Sequence, residues 1–144
     1  MPRLAILTFL PLVLLQTVPQ RADRSELQVT GPKVVFFGPT RAERDSIIRA
    51  EGVEVGAIFD DFDYYTAKAN TYLKNRGVPT EFSNQTVIIV KIGDRGFRKI
   101  DRKTIPDFLG VILTDGVQEP RLLQGIATDE ELIGEINEFF HWRE

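Results

Sequence analysis

Residues 34–44 have the sequence Val-Val-Phe-Phe-Gly-Pro-Thr-Arg-Ala-Glu-Arg and contain two strong structural signals in succession. The first part is apolar and β-prone, which is typical of a strand that is covered on both faces. Thr40 and Glu43 then have the spacing of a capping box, in which each side chain accepts a hydrogen bond from the other residue's backbone. These signals predict a buried strand over residues 34–38, followed by a helix that begins at Arg41.

The middle of the chain continues this alternation. Apolar side chains recur every three or four residues over residues 55–75, which predicts a long helix with one buried stripe. Residues 86–92 form another apolar, β-prone run and predict a second buried strand. Residues 97–103 leave two interpretations open, an edge strand or a single turn of helix.

The carboxyl-terminal part predicts a β-hairpin that leads into a helix. Residues 109–113 are an apolar strand, and residues 114–116 supply the turn. The chain returns as a strand over residues 118–125, which Pro120 places at the edge of the sheet. A second T-x-x-E capping box, at residues 128–131, predicts the start of the last helix.

Together these elements predict one α/β domain over residues 34–144, in which a mixed sheet has helices on both faces. A length of 144 residues, with 42% hydrophobic and 27% charged residues, is ordinary for one globular domain. The chain contains no cysteine, which excludes disulfides, thiol redox chemistry and zinc–thiolate sites. With His141 as its one histidine, the sequence indicates no metal site and no cofactor.

The amino terminus has the pattern of an export signal. Arg3 precedes an apolar run of twelve residues, 4–15, which as a helix spans about 18 Å, less than the roughly 30 Å hydrocarbon core of a membrane. We therefore expect residues 1–22 to be a cleaved signal peptide, the mature protein to be secreted or periplasmic, and no membrane insertion after cleavage. An uncleaved anchor is the alternative. Residues 23–33 are polar and are expected to form a flexible lead-in.

Removal of residues 1–22 takes away Arg3 and Arg21 but no acidic residue. The 18 basic residues of the chain then fall to 16, against 21 acidic ones, which leaves a formal charge of −5. A mildly acidic protein is not expected to be a general binder of nucleic acid or of anionic membranes.

Two blocks of the sequence resemble the thioredoxin superfamily. The carboxyl-terminal block begins at residues 105–108 (IPDF) and continues through an apolar strand, a turn and an edge strand that ends at Gly125. Residues 128–132 then open the last helix. Thioredoxins have this succession of strand, turn, strand, glycine and helix, with a cis-proline just before the first strand, and Pro106 stands at that place.

The amino-terminal block, residues 37–44, is similar to the family's F-x-A-P-W-C-G-P-C pattern. Pro39 matches the proline before the motif, whereas Arg41 and Arg44 stand where the two cysteines would be. The chain departs from the family between residues 94 and 104, where the helix before the cis-proline strand is shortened or absent. The resemblance thus implies a thioredoxin-like fold without thiol–disulfide chemistry.

The resemblance also implies a binding site. The turn from Thr40 to Arg44 would face a groove beside Pro106, where thioredoxins hold extended peptides. The free backbone N–H groups at a helix start favour anions, and the guanidinium groups of Arg41 and Arg44 fit a carboxylate. These features suggest an acidic peptide as the ligand.

Each candidate site also has a simpler explanation. The two arginines would be solvated or paired with Glu43 and Asp45. Residues 59–65 (FDDFDYY) contain three acids that could serve acid–base catalysis, but a polar helix face opposite a buried stripe explains them as well. Six basic residues between 91 and 103 could dock an acidic partner or could be solvated side chains on a sheet edge.

The sequence therefore predicts an exported, non-redox binding module whose partner is an extended or acidic peptide segment of a protein. The predicted site residues are Thr40, Arg41, Arg44 and Pro106, and no catalytic residue is assigned. Two alternatives stay open: a small envelope hydrolase that uses carboxylates of residues 59–65, and a structural envelope protein held by an uncleaved signal.

Overall fold

The computed structural model describes residues 26–105 and 109–143, which form strands and helices in alternation. The strands within them are β1 Glu26–Val29, β2 Lys33–Phe37, β3 Thr80–Ser83, β4 Val87–Lys91, β5 Phe97–Asp101, β6 Gly110–Thr114 and β7 Arg121–Leu123. The helices are α1 Arg41–Glu51, α2 Glu54–Lys74 and α3 Asp129–Phe140. Single turns of 3₁₀ helix lie at Gly93–Arg95 and Arg102–Thr104.

The strands form two mixed sheets. In the four-stranded sheet the order is β3-β2-β6-β7, with β3 parallel to β2 and with β6 and β7 antiparallel to their neighbours. In the three-stranded sheet the order is β1-β4-β5, with β1 parallel to β4 and β5 antiparallel to it. The described chain is therefore mixed α/β, as predicted.

Strand β2 is buried on both faces, also as predicted. Successive side chains of a strand point to opposite faces of its sheet. Accordingly, Val34 and Phe36 pack into one hydrophobic cluster, while Val35 and Phe37 pack into a second, and all four side chains are 0% exposed. Strand β2 therefore separates two cores.

The first core lies between the four-stranded sheet and the helices. Helix α2 contributes a stripe that includes Phe62, Ala69 and Leu73, and α3 contributes Leu132 and Ile136. Helix α1 contributes no fully buried residue, but two half-buried isoleucines of its last turns pack against the same cluster. All three helices of the described chain thus lie on this side of the sheet.

The prediction of helices on both faces is wrong. The second core is closed by the three-stranded sheet, through side chains that include Val29, Ile88 and Val90. Residues 94–104, where the sequence indicates that the family's helix is shortened or absent, hold β5 between the two 3₁₀ turns. That segment has no helical apolar period, and its strand pairs with β4 along its whole length.

The segment predicted as a flexible lead-in also contains a strand. Residues 26–29 form β1, which pairs with β4, and Val29 is 2% exposed. The polar side chains of this short strand lie on its outer face, so the sequence gives little β signal there. The predicted signal peptide, residues 1–22, lies outside the described residues.

Several local predictions are confirmed. Both hydrogen bonds of the capping box join Thr40 and Glu43, and α1 begins at Arg41. Thr128 caps α3 by accepting a hydrogen bond from the backbone N–H of Glu131. The two interpretations of residues 97–103 are both partly right, because a strand is followed by one 3₁₀ turn. Strand β3, with its sequence TEFS, was not predicted because it has no apolar run.

We expect Gly110→Ala to destabilise the protein, because the Phe37 ring occupies the space that a side chain would need. A Cβ atom at Gly110 would lie 2.3 Å from Cζ of Phe37, whose ring is fully buried. Overpacking of this kind costs about 1–3 kcal/mol, measured as a loss in the free energy of unfolding by urea. The matched control is Gly134→Ala, where no atom lies within 4 Å of the new Cβ. An unchanged stability of Gly110→Ala would contradict the packing described here.

Candidate functional site

The strand directions of the four-stranded sheet bring four chain segments to one end. Strands β2, β3 and β7 end there, and β6 begins there, because β6 and β7 are each antiparallel to the preceding neighbour. We call this end the rim; it comprises residues 38–40, 84–85, 109 and 124–126. Ligands of open α/β sheets bind at the carboxyl ends of strands, so the rim is the candidate functional site.

The end of β2 and the start of β6 lie next to each other at the rim. Phe37, the last residue of β2, pairs directly with Gly110, the first residue of β6. The described flanks of the turn after β2 and of the loop before β6 are therefore neighbours. Pro106 itself, and its peptide bond to Ile105, lie outside the described residues.

The Thr40 side chain caps the start of α1. Its Oγ1 accepts a hydrogen bond from the backbone N–H of Glu43 at 3.1 Å, and its own N–H donates to Glu43 Oε1 at 2.7 Å. A side chain that already caps a helix has less capacity to bind a ligand. Its role here is to fix where the helix begins.

The Arg44 side chain joins α1 to α2. Its two terminal nitrogens donate to both carboxylate oxygens of Asp63 at 2.8 and 2.9 Å, and its Cζ atom lies 5.1 Å from the centre of the Phe59 ring. The hydrogen bonds to Asp63 raise the pKa of Arg44 above its ordinary value. The simpler explanation named Glu43 and Asp45 as partners; the partner is Asp63 instead.

Arg41 differs from the other two predicted residues. It is exposed at the first position of α1, and its guanidinium forms no hydrogen bond or ion pair with any residue in the described ranges. The structure thus groups Thr40, Arg41 and Arg44 at the helix start. Thr40 caps the helix and Arg44 binds Asp63, whereas the Arg41 guanidinium has no partner within the described part of the chain.

Two cavities open on the rim. The smaller, of about 220 Å³, lies between the end of β3 and the start of α1, with Arg44 and Phe82 in its lining. The larger, of about 400 Å³, lies between α2, the start of β6 and the end of β7. We call the larger one the apolar groove. Its apolar side chains are Ile58, Tyr65, Leu109, Leu123 and Ile126.

Sequence reasoning missed the residues of the apolar groove. Ile58 and Tyr65 were assigned to the buried stripe of a helix, and Tyr65 does pack in the first core. Ile58, however, is 47% exposed, which a periodic pattern does not reveal. Ile126 follows Gly125, the glycine of the carboxyl-terminal block, and this adjacency is the one signal that could have drawn attention to it.

The structure gives little support to the other two candidate sites, the acids of residues 59–65 and the basic residues between 91 and 103. Asp63 is held by Arg44, while Asp60 and Asp61 are exposed. Within residues 26–105 and 109–143, no group of three or more His, Cys, Asp or Glu side chains could hold a metal ion. In the basic segment, Arg95 and Arg98 both contact Glu119, at 3.9 and 2.6 Å, which offsets part of the positive charge.

We expect Asp63→Asn to lower the free energy of unfolding by about 0.5–1 kcal/mol, since it removes one charge of a partly exposed ion pair. Added salt should shrink the difference because it screens the charges. Asp45→Asn is the control, since Asp45 is exposed on α1 and forms no ion pair with the described residues; its effect should stay within about 0.5 kcal/mol. Equal effects of the two substitutions in urea unfolding would show that Asp63 is not the partner of Arg44.

No helix among the described residues is long and apolar enough to cross a lipid bilayer. Comparisons of the chain with models of protein families, with curated proteins and with solved structures found no match. The function must therefore be inferred from the site itself.

Proposed function

We propose that the protein is an exported, non-redox, thioredoxin-like binding module that holds an extended segment of another protein along the rim. The observation that carries the proposal is the apolar groove, a cavity of about 400 Å³ that adjoins the start of β6. Extended segments are recognised by pockets of this kind, which accept single apolar side chains while the backbone lies across the surface.

The order of elements supports the thioredoxin-like part of the proposal. Strand β6 is followed by a turn, an edge strand, Gly125 and a helix capped by Thr128, which is the succession on which the resemblance rests. At the other end of the chain, β2 leads directly into a capped helix whose first residue is Arg41. Because the chain has no cysteine, this module would act by binding and not by thiol exchange.

The geometry narrows the choice of ligand. The earlier expectation of an acidic segment rested on two arginines, and the charge of Arg44 is already offset by Asp63. A preference for acid at the helix start therefore rests on Arg41 alone. The extended, partly apolar character of the ligand rests on the groove, which involves neither arginine.

No specific observation supports either of the two alternative functions. A hydrolase that uses residues 59–65 would need available carboxylates, and the Asp63 carboxylate accepts two hydrogen bonds from Arg44. A structural envelope protein would depend on residues 1–22, which lie outside the described part of the chain. Export likewise stays a proposal that rests on the sequence of that segment.

The test is a selection of phage-displayed random heptapeptides on the purified protein. Ile58 lines the groove and is 47% exposed, so Ile58→Glu should leave the fold intact and place a charge in the groove. We expect the selected peptides to bind Ile58→Glu at least about tenfold more weakly, a loss that fluorescence anisotropy resolves easily.

The matched control is Val117→Glu. Val117 is 66% exposed and lies in the β6–β7 turn, at the end of the sheet opposite the rim. This variant should bind the selected peptides as the unchanged protein does, and both variants should melt near the same temperature. A selection that enriches no binding peptide, or peptides that bind Ile58→Glu normally, would refute the proposed function.

A further inference from the structure

Two polar side chains, Tyr65 and Gln124, line the apolar groove, and Tyr65 is the one that is buried. Tyr65 is 7% exposed, lines the groove and packs edge-on against the Phe62 ring, with the ring centres 5.5 Å apart. Its hydroxyl forms no hydrogen bond with any residue in the described ranges. Among the described residues, the buried side-chain atom without a partner is Asn137 Nδ2, so the Tyr65 hydroxyl is not sealed off and reaches the opening of the groove. A ligand in the groove would be in position to accept a hydrogen bond from it.

Negative charge surrounds this tyrosine. Burial, together with the charges of Asp61 and Glu131, raises the pKa of Tyr65 to about 12, so the hydroxyl keeps its proton at neutral pH. Asp61 is exposed on α2, and Glu131 lies in the first turn of α3, beside Asp129 and Glu130. Acidic residues of both α2 and α3 therefore act on Tyr65.

Basic residues nearby do not neutralise this charge. Arg44 is bound to Asp63, and Arg121 of β7 donates to Glu135 and Glu138, at 3.0 and 3.1 Å. Within the described ranges, Asp61 forms no ion pair. Helix capping accounts for the three acids of α3, because acidic side chains stabilise a helix start. Asp61 lies instead on α2, exposed and one helical turn before Tyr65.

We infer that the segment bound in the apolar groove carries a lysine or arginine next to its apolar anchor residue. The apolar side chain would lie between Ile58 and Leu123, and the cation would face Asp61 and Glu131. The Tyr65 hydroxyl would donate a hydrogen bond to a backbone carbonyl of the segment. This inference rests on the proposed function and assigns the groove a basic partner instead of an acidic one.

The first test is the composition of the heptapeptides selected on the unchanged protein. We expect lysine and arginine to be enriched over their frequency in the starting library, and aspartate and glutamate to be depleted. Electrostatic complementarity of this kind governs specificity, and its contribution falls as salt screens the charges. The affinity of the best basic peptide should therefore fall between low and high sodium chloride concentration.

Three variants locate the interaction. Asp61→Asn should weaken the best basic peptide by about three- to tenfold at low salt and by less at high salt. Asp60→Asn is the matched control, because Asp60 is exposed on the same helix but acts on Arg44 and not on Tyr65. Tyr65→Phe removes only the hydroxyl, so it should weaken the peptide by about fivefold without lowering the melting temperature.

The outcomes separate this inference from the proposal beneath it. Selected peptides that bind in the groove but are not enriched in basic residues would overturn the inference and leave the proposed function standing. Equal affinities for Asp61→Asn and Asp60→Asn would overturn it in the same way. A selection that yields no binding peptide would overturn both.

Discussion

Strand β2 must be covered on both of its faces, and the rest of the structure depends on how that is done. Its four apolar side chains point alternately into two different cores. Burial of each contributes roughly 1.5–3 kcal/mol, which is lost if either face meets water. One face is covered by α2 and α3, and the other by a second sheet. Both neighbours of the strand, β3 and β6, are paired with it over four or five residues, so its backbone groups are satisfied as well.

This central position also creates the site. Since β2 is flanked by one parallel and one antiparallel strand, its carboxyl end lies beside the end of β3 and the start of β6. The close packing of the Phe37 ring over Gly110 holds the end of β2 and the start of β6 together. Gly110 also lines the apolar groove, which lies on the face of the sheet that α2 covers. The groove therefore lies at the end of the sheet where β2 and β6 are paired.

Local sequence patterns predicted the parts of the fold that local physics determines. The capping boxes at residues 40–43 and 128–131, the helix over 55–75 and the strand over 86–92 all depend on neighbours in sequence. The face opposite the helices was predicted wrongly because its cover includes β1, which pairs with β4 although Glu26 and its partner Val87 are far apart in sequence. Strands with polar outer faces, such as TEFS in β3, give too weak a pattern to be recognised alone.

The same distinction applies to the candidate site. The capping box predicted where α1 starts, but the partner of Arg44 lies 19 residues away and follows from the packing of α1 on α2. The groove residues come from α2, β6, β7 and the loop after it, and no sequence motif connects them. Their association can be recognised only once the strand order is known.

The acidic cluster of residues 59–65 illustrates how packing assigns different roles to similar side chains. On a helix, residues four apart lie on one face, and residues one apart lie about 100° round from each other. Once Phe62 and Tyr65 are buried against the sheet, Asp63 must point toward α1, where Arg44 binds it. Asp61 shares its face with Tyr65 and so contributes negative charge at the apolar groove. The orientation of α2 that buries Phe62 and Tyr65 therefore also gives its two sides different charge. On one side the Asp63 carboxylate is neutralised by Arg44, and on the other side Asp61 is available to a basic partner.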